Sequence, residues 1–152
     1  MPRILDAAQY LDTVSLLLAQ GREEVPVPVT GTSMTPFLHP GDQVFVSPVP
    51  DPVRPGMIFL YRRASGQYVL HRLIRIEPRK GFWMAGDAQT VPELIARQEQ
   101  LVGVVTHALH NGRRISPGDL YWRFYAGPWR LARPLRPFFL AVRNLFPAKK
   151  NR

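Results

Sequence analysis

The sequence contains no cysteine, so disulfides, thiolate nucleophiles and cysteine-ligated zinc are excluded, and cysteine usage leaves the redox compartment open. Long apolar runs are missing too. The best, Phe138 to Val142, is far short of the roughly 18 residues of a membrane-spanning helix. No signal peptide is expected, because Asp6 and Asp12 interrupt the first twenty residues and no basic start precedes a continuous apolar segment. Lysine is scarce, with only Lys80, Lys149 and Lys150. No internal repeat is visible.

What is present is a chain of 152 residues, 45% hydrophobic and 20% charged, which suits a single globular domain rather than a disordered chain. Its 16 prolines argue against a helical bundle. The net charge of +9 is unevenly placed: residues 113–152 carry ten of the 20 Lys and Arg and one acid, Asp119, leaving residues 1–112 balanced.

Ile4 to Gln20 has a helical spacing of apolar residues closed by Gly21, and predicts a helix covering one side of a sheet. From Val25 the pattern alternates. Val25 to Val29, Gln43 to Ser47, Met57 to Tyr61, Tyr68 to Glu77, Phe82 to Ala85 and Leu101 to Leu109 read as strands separated by Gly- and Pro-rich turns. Pro26 and Pro28 make the first of these an edge strand. The expectation is a mostly β domain over residues 1–119 with an N-terminal helix, followed by a short, helical, basic aromatic segment over residues 120–152.

The most specific stretch runs from Val29 to Val46. A strand leads to Gly31, where the absence of Cβ permits a tight bend, and Ser33 follows with Pro36 behind it. Taken by itself this is compatible with a Ser/Thr-rich turn or cap, or with a nucleophile waiting for a base. Gly31-Thr-Ser-Met-Thr-Pro-Phe-Leu38 followed by Pro40-Gly-Asp-Gln-Val-Phe-Val46 resembles the nucleophile box of the signal peptidase and LexA-like serine peptidase superfamily. Phe37 stands where that family usually has a small hydroxylated residue. The likeness continues through Pro55 to Tyr61, Val69 to Ile76 and Ala85-Gly-Asp87-Ala88, covering about residues 25–106.

The resemblance implies Ser33 as nucleophile. Of its branches, the Val-Leu-His71-Arg72-Leu-Ile box is similar to the histidine branch of archaeal and endoplasmic reticulum signal peptidases, because no lysine lies in a strand that could bury it. It implies His71 as general base, a role that a reference pKa near 6.5 suits and that predicts activity rising through pH 6 to 7; Arg72 cannot deprotonate in this range. His39 is a competing base. Asp87 is the first choice for an acid beside the imidazole, and Glu93, following Pro92 in a loop, the second. His107 and His110 have too few accompanying carboxylates to indicate zinc, and no cofactor is expected. Gly31 supplies no side-chain hydroxyl to an oxyanion hole, unless Thr30 or Thr32 does, which leaves the Ser33 backbone N–H.

The implied substrate is a peptide in extended conformation added beside the 25–30 edge, with small side chains at the first and third positions before the cut. The segment from Leu120 to Phe146 holds eight of the 16 aromatic residues among its arginines. Peripheral or monotopic contact with an anionic membrane is the physical fit favoured here. Packing back on the core and single-strand nucleic-acid binding are the rivals, the latter weakened because about 24 residues before the box cannot hold a helix-turn-helix domain. A degenerate peptide-binding module or a self-processing regulator are the alternatives to a signal peptidase-like enzyme.

Overall fold

Period-2 alternation of apolar residues produces an antiparallel sheet, and the one region of helical periodicity before it lies across that sheet. The computed structural model describes residues 6–145, so the expected helix start at Ile4 falls outside the described residues. Helix α1 (Ala7–Ala19) precedes β1 (Val25–Pro28), β2 (Gln43–Ser47), β3 (Ile58–Arg62), β4 (Tyr68–Glu77), β5 (Gly81–Ala85), β6 (Glu93–Ile95), β7 (Leu101–His110) and β8 (Arg113–Ile115). Helix α2 (Leu120–Phe124), a π turn over Tyr125–Trp129, a 3-10 turn over Arg133–Leu135 and α3 (Arg136–Leu145) complete the chain. The fold is mostly β, as expected. Strands β6 and β8, three residues each, were not foreseen.

The strands lie in the order β1-β2-β7-β3-β4-β5-β6, with β8 paired to β7. Strand β3 is central and buried over its first four residues. Alternation along it divides the core in two: Ile58 and Leu60 join Val14, Leu18, Val44, Val46 and Trp122 on one side, while Phe59 and Tyr61 join Leu73, Met84, Ile95 and Leu101 on the other. Strand β1 stands at the edge, its valines buried and its prolines exposed.

Packing continues across residue 119. Trp122 is buried in the core, and Phe37 packs against Tyr121, Trp122 and Tyr125 at centroid separations of 5.4, 5.1 and 5.2 Å. The aromatic segment therefore folds back on the body as far as Arg136, whose guanidinium donates to the Asp87 carbonyl at 2.7 Å. Phe37 is the platform for this docking. Beyond that point α3 leaves Phe138, Val142 and Leu145 exposed; Phe146, at the end of the aromatic segment, lies outside the described residues. No helix among the described residues is long and apolar enough to cross a membrane.

Candidate active site

Ser33 owes its position to two glycines. Gly31, at φ +74°, takes the left-handed turn that lets the chain leave β1. The turn then closes with Thr35 N–H donating to the Thr32 carbonyl at 3.1 Å and Leu38 N–H to the Met34 carbonyl at 2.9 Å. Met34, Phe37 and Leu38 are buried and anchor it, while Ser33 stays partly exposed. Gly86 fixes the other side, since a Cβ there would sit 2.2 Å from the Ser33 carbonyl oxygen. That oxygen accepts the Ala88 N–H at 2.9 Å.

His71 is buried on β4, directly opposite Phe59 of β3 and diagonal to Tyr61. Its Nδ1 lies 3.0 Å from the Tyr61 hydroxyl and 3.8 Å from Glu93 Oε1. The Tyr61 hydroxyl donates to Glu93 Oε1, and Arg63 grips the same carboxylate with Nε at 3.0 Å from Oε2 and Nη2 at 2.9 Å from Oε1. Tyrosine has one hydroxyl proton, and an ionised carboxylate only accepts. With that proton on Glu93, the phenol oxygen must accept from His71, so Nδ1 carries the imidazole proton and Nε2 is the unprotonated nitrogen.

The electrostatics keep the imidazole neutral. Burial pushes the His71 imidazole down to about 4, opposed by the Glu93 charge and assisted by those of Arg63 and Arg133. Burial alone would raise the Glu93 carboxyl, but hydrogen bonds from Arg63 and Tyr61 outweigh it and hold it below its ordinary value. Burial, followed by the bond to Glu93, raises Tyr61 and keeps the phenol protonated.

Asp87 is occupied elsewhere. Arg72 Nε and Nη2 meet its two carboxylate oxygens at 2.9 and 2.7 Å, both side chains wholly buried, and Arg72 also donates to the Gly56 carbonyl at 2.8 Å and lies over the Phe37 ring. The order in which the sequence ranked the two acids beside His71 is thus reversed by the hydrogen bonds. Glu93 reaches the imidazole because it sits on β6, opposite Met84 of β5, rather than in a loop. Tyr61 and Arg63 were not singled out from the sequence; their only signal is that Tyr61 lies on the strand beside the histidine strand and Arg63 directly follows that strand's end. Lys80 is exposed and paired with Glu77 at 2.7 Å, and Lys149 and Lys150 lie outside the described residues. His39 lines a different cavity.

Ser33 and His71 line one cleft of about 750 Å³. Its walls are Val27 to Thr30 at the β1 edge, Leu60, Tyr68 to Leu70, Tyr10 and Leu11 of α1, and Gln89. A long, mainly apolar trough along an edge strand suits an extended peptide. Comparison with protein-family models matches residues 3–106 to one family, described as Peptidase S24-like. The chain belongs to the Peptidase S24-like family. The match covers the helix, the Ser33 turn, the His71 strand and the Glu93 strand, and stops before the aromatic segment. No curated protein and no solved structure matches the chain. Membership in this family makes the fold peptidase-like, and such a fold is compatible with binding an extended peptide.

Proposed function

We propose that the protein is a serine endopeptidase with a histidine base, resembling the archaeal and endoplasmic reticulum signal peptidases, that cuts an extended peptide or leader segment close to a membrane. The observation that carries this reading is the shared cleft of Ser33 and His71, with the Nδ1 side of the imidazole held by Tyr61. Ser33 Oγ attacks the scissile carbonyl while its proton passes to His71 Nε2. The resulting tetrahedral oxyanion faces the Ser33 N–H. Its collapse breaks the C–N bond, the proton goes from Nε2 to the leaving amine, and water, deprotonated by His71, hydrolyses the ester.

Tyr61 and Glu93 act as positioning residues: they fix the tautomer and give the imidazolium that forms a negative charge through the phenol. Asp87 has a structural role, securing the loop behind Ser33. Membrane proximity is supported by exposed Leu120, Phe124, Leu131, Leu135 and Phe138 beside a basic surface. The test is cleavage of a signal-peptide-like substrate by the wild type, Ser33→Ala and His71→Ala, with circular dichroism as fold control. Each substitution is expected to lower kcat by about a thousandfold or more. Retained cleavage in folded Ser33→Ala overturns the reading, and peptide binding without cleavage by the wild type leaves a binding module.

A further inference from the structure

The pairing of β2 with β7 gathers a second group of chemically capable side chains. His39 and Asp42 lie three residues apart in the turn that follows the Ser33 loop, and His110 ends β7. The register Gln43 to Leu109 brings Asp42 beside His110. One ligand atom from each of the three lies within 4.8 Å of the others. His110 Nδ1 is 2.6 Å from Asp42 Oδ1, and the two imidazole rings stand 5.3 Å apart. Asp42 is buried, and its Oδ2 accepts the His39 N–H at 2.9 Å, so the carboxylate is already oriented. The cavity that His39 and His110 border, with Arg113, Arg114, Asp119 and Tyr121, shares no lining residue with the Ser33 cleft.

We propose that His39, Asp42 and His110 form a binding site for a divalent transition metal of the zinc class. Two imidazoles and one carboxylate favour zinc, cobalt or nickel over magnesium and calcium, which prefer all-oxygen sets. An ion about 2.0 to 2.1 Å from each donor spaces tetrahedral donors about 3.3 Å apart. That lies between the 2.6 Å pair and the 4.8 Å outer limit, so side-chain rotation closes the site without moving the strands. The remaining coordination position faces solvent. Arg113 and Arg114 oppose a cation and Asp119 favours it, which sets the expected affinity in the micromolar range rather than that of a closed structural site. Bound metal would tie the turn leaving the Ser33 loop to the β7–β8 hairpin.

The test is titration of chelator-stripped full chain with Zn²⁺ against a chromophoric chelator. The expected result is one equivalent bound with a Kd of about 1 to 10 μM, weakened at least about tenfold in His39→Ala and in His110→Ala, unchanged in His107→Ala and not displaced by excess Mg²⁺. His39 is exposed, so His39→Ala keeps the fold even if His110→Ala does not, and circular dichroism checks both. Absence of saturable binding below about 1 mM, binding that survives in folded His39→Ala, or binding that follows His107 overturns the proposal. The readout is independent of peptidase activity.

Discussion

Burial of His71 decides both when it can accept a proton and how the protein responds to acid. A histidine at its reference value would give an activity limb at pH 6 to 7; the folded imidazole, held at about 4, is already the free base at pH 6. On the proposed mechanism kcat/KM therefore rises with pH through about 4 and is flat from 6 to 8, which a pH–rate profile checks. A limb near 6.5 would mean that the imidazole is solvated in the working enzyme. The sign for stability follows from the same shift. Between pH 6.5 and 4 the unfolded chain binds the proton that the folded His71 refuses, so stability falls with acidification across that window, by up to about 3 kcal/mol. Urea unfolding at pH 7 and 4.5 should show the loss, and His71→Ala should reduce it. Tyr61→Phe removes the acceptor of the Nδ1 proton and is expected to lower kcat at least about tenfold with little change in KM. Glu93→Gln should likewise slow the reaction with the fold intact. Asp87→Asn should act differently, destabilising by about 3 to 5 kcal/mol because it leaves the buried Arg72 charge uncompensated.

At the scale of elements, the Ser33 turn is held between the 86–89 loop and the aromatic segment. Tyr121 donates to the Pro36 and Phe37 carbonyls at 3.0 and 3.1 Å. Trp129 Nε1 donates to the Asp87 carbonyl at 3.0 Å, Arg130 to that of Ile74 at 2.7 Å, and Arg133 to that of Gln89. These side chains strap both loops at once. Truncation after Asp119 is accordingly expected to unfold or inactivate the body, measured by thermal melting; Trp122→Ala alone should cost about 3 to 5 kcal/mol. Gly86→Ala drives a methyl into the Ser33 carbonyl, whose backbone must shift. Its expected signature is loss of activity larger than its loss of stability, and an active, wild-type-like Gly86→Ala would show that the contact yields without moving the nucleophile.

For the molecule as a whole, the charge asymmetry is partly internal. Arg133 and Arg136 are buried and Arg130 is engaged with carbonyls, so the basic residues free to meet a membrane are fewer than the composition suggests. On the proposed membrane contact, those that remain, each worth about 1 kcal/mol near an anionic surface, would act with the exposed apolar residues of the 120–145 segment. Deleting residues 137–152 keeps the strap. It removes Arg143, Lys149, Lys150 and Arg152 together with Phe138, and is expected to weaken salt-sensitive binding to anionic vesicles while cleavage of a short soluble peptide continues. Vesicle binding unchanged by this deletion would move the contact elsewhere, and tight binding to single-stranded nucleic acid without vesicle binding would replace it.

The mostly β architecture was legible because alternation over five to ten residues is a local property, and the long strands from Gln43, Tyr68 and Leu101 lie where the pattern puts them. Ser33 and His71 stood out as well, through residues adjacent in sequence, and both line one cleft. The partner of His71 did not stand out. A three-residue strand after a proline has no periodicity to read, so Glu93 looked like loop, and Asp87 looked free because nothing in a sequence reveals that a neighbouring arginine will be buried against it. The same holds for Tyr61, for His39 beside His110, and for the aromatic segment, whose composition suits a membrane and a core equally. Which charges neutralise one another, and which aromatic faces are covered, depends on strand order and on Phe37 meeting Tyr121 across 84 residues of chain. Only the folded chain decides those pairings, because they are distances, and local pattern does not encode distance.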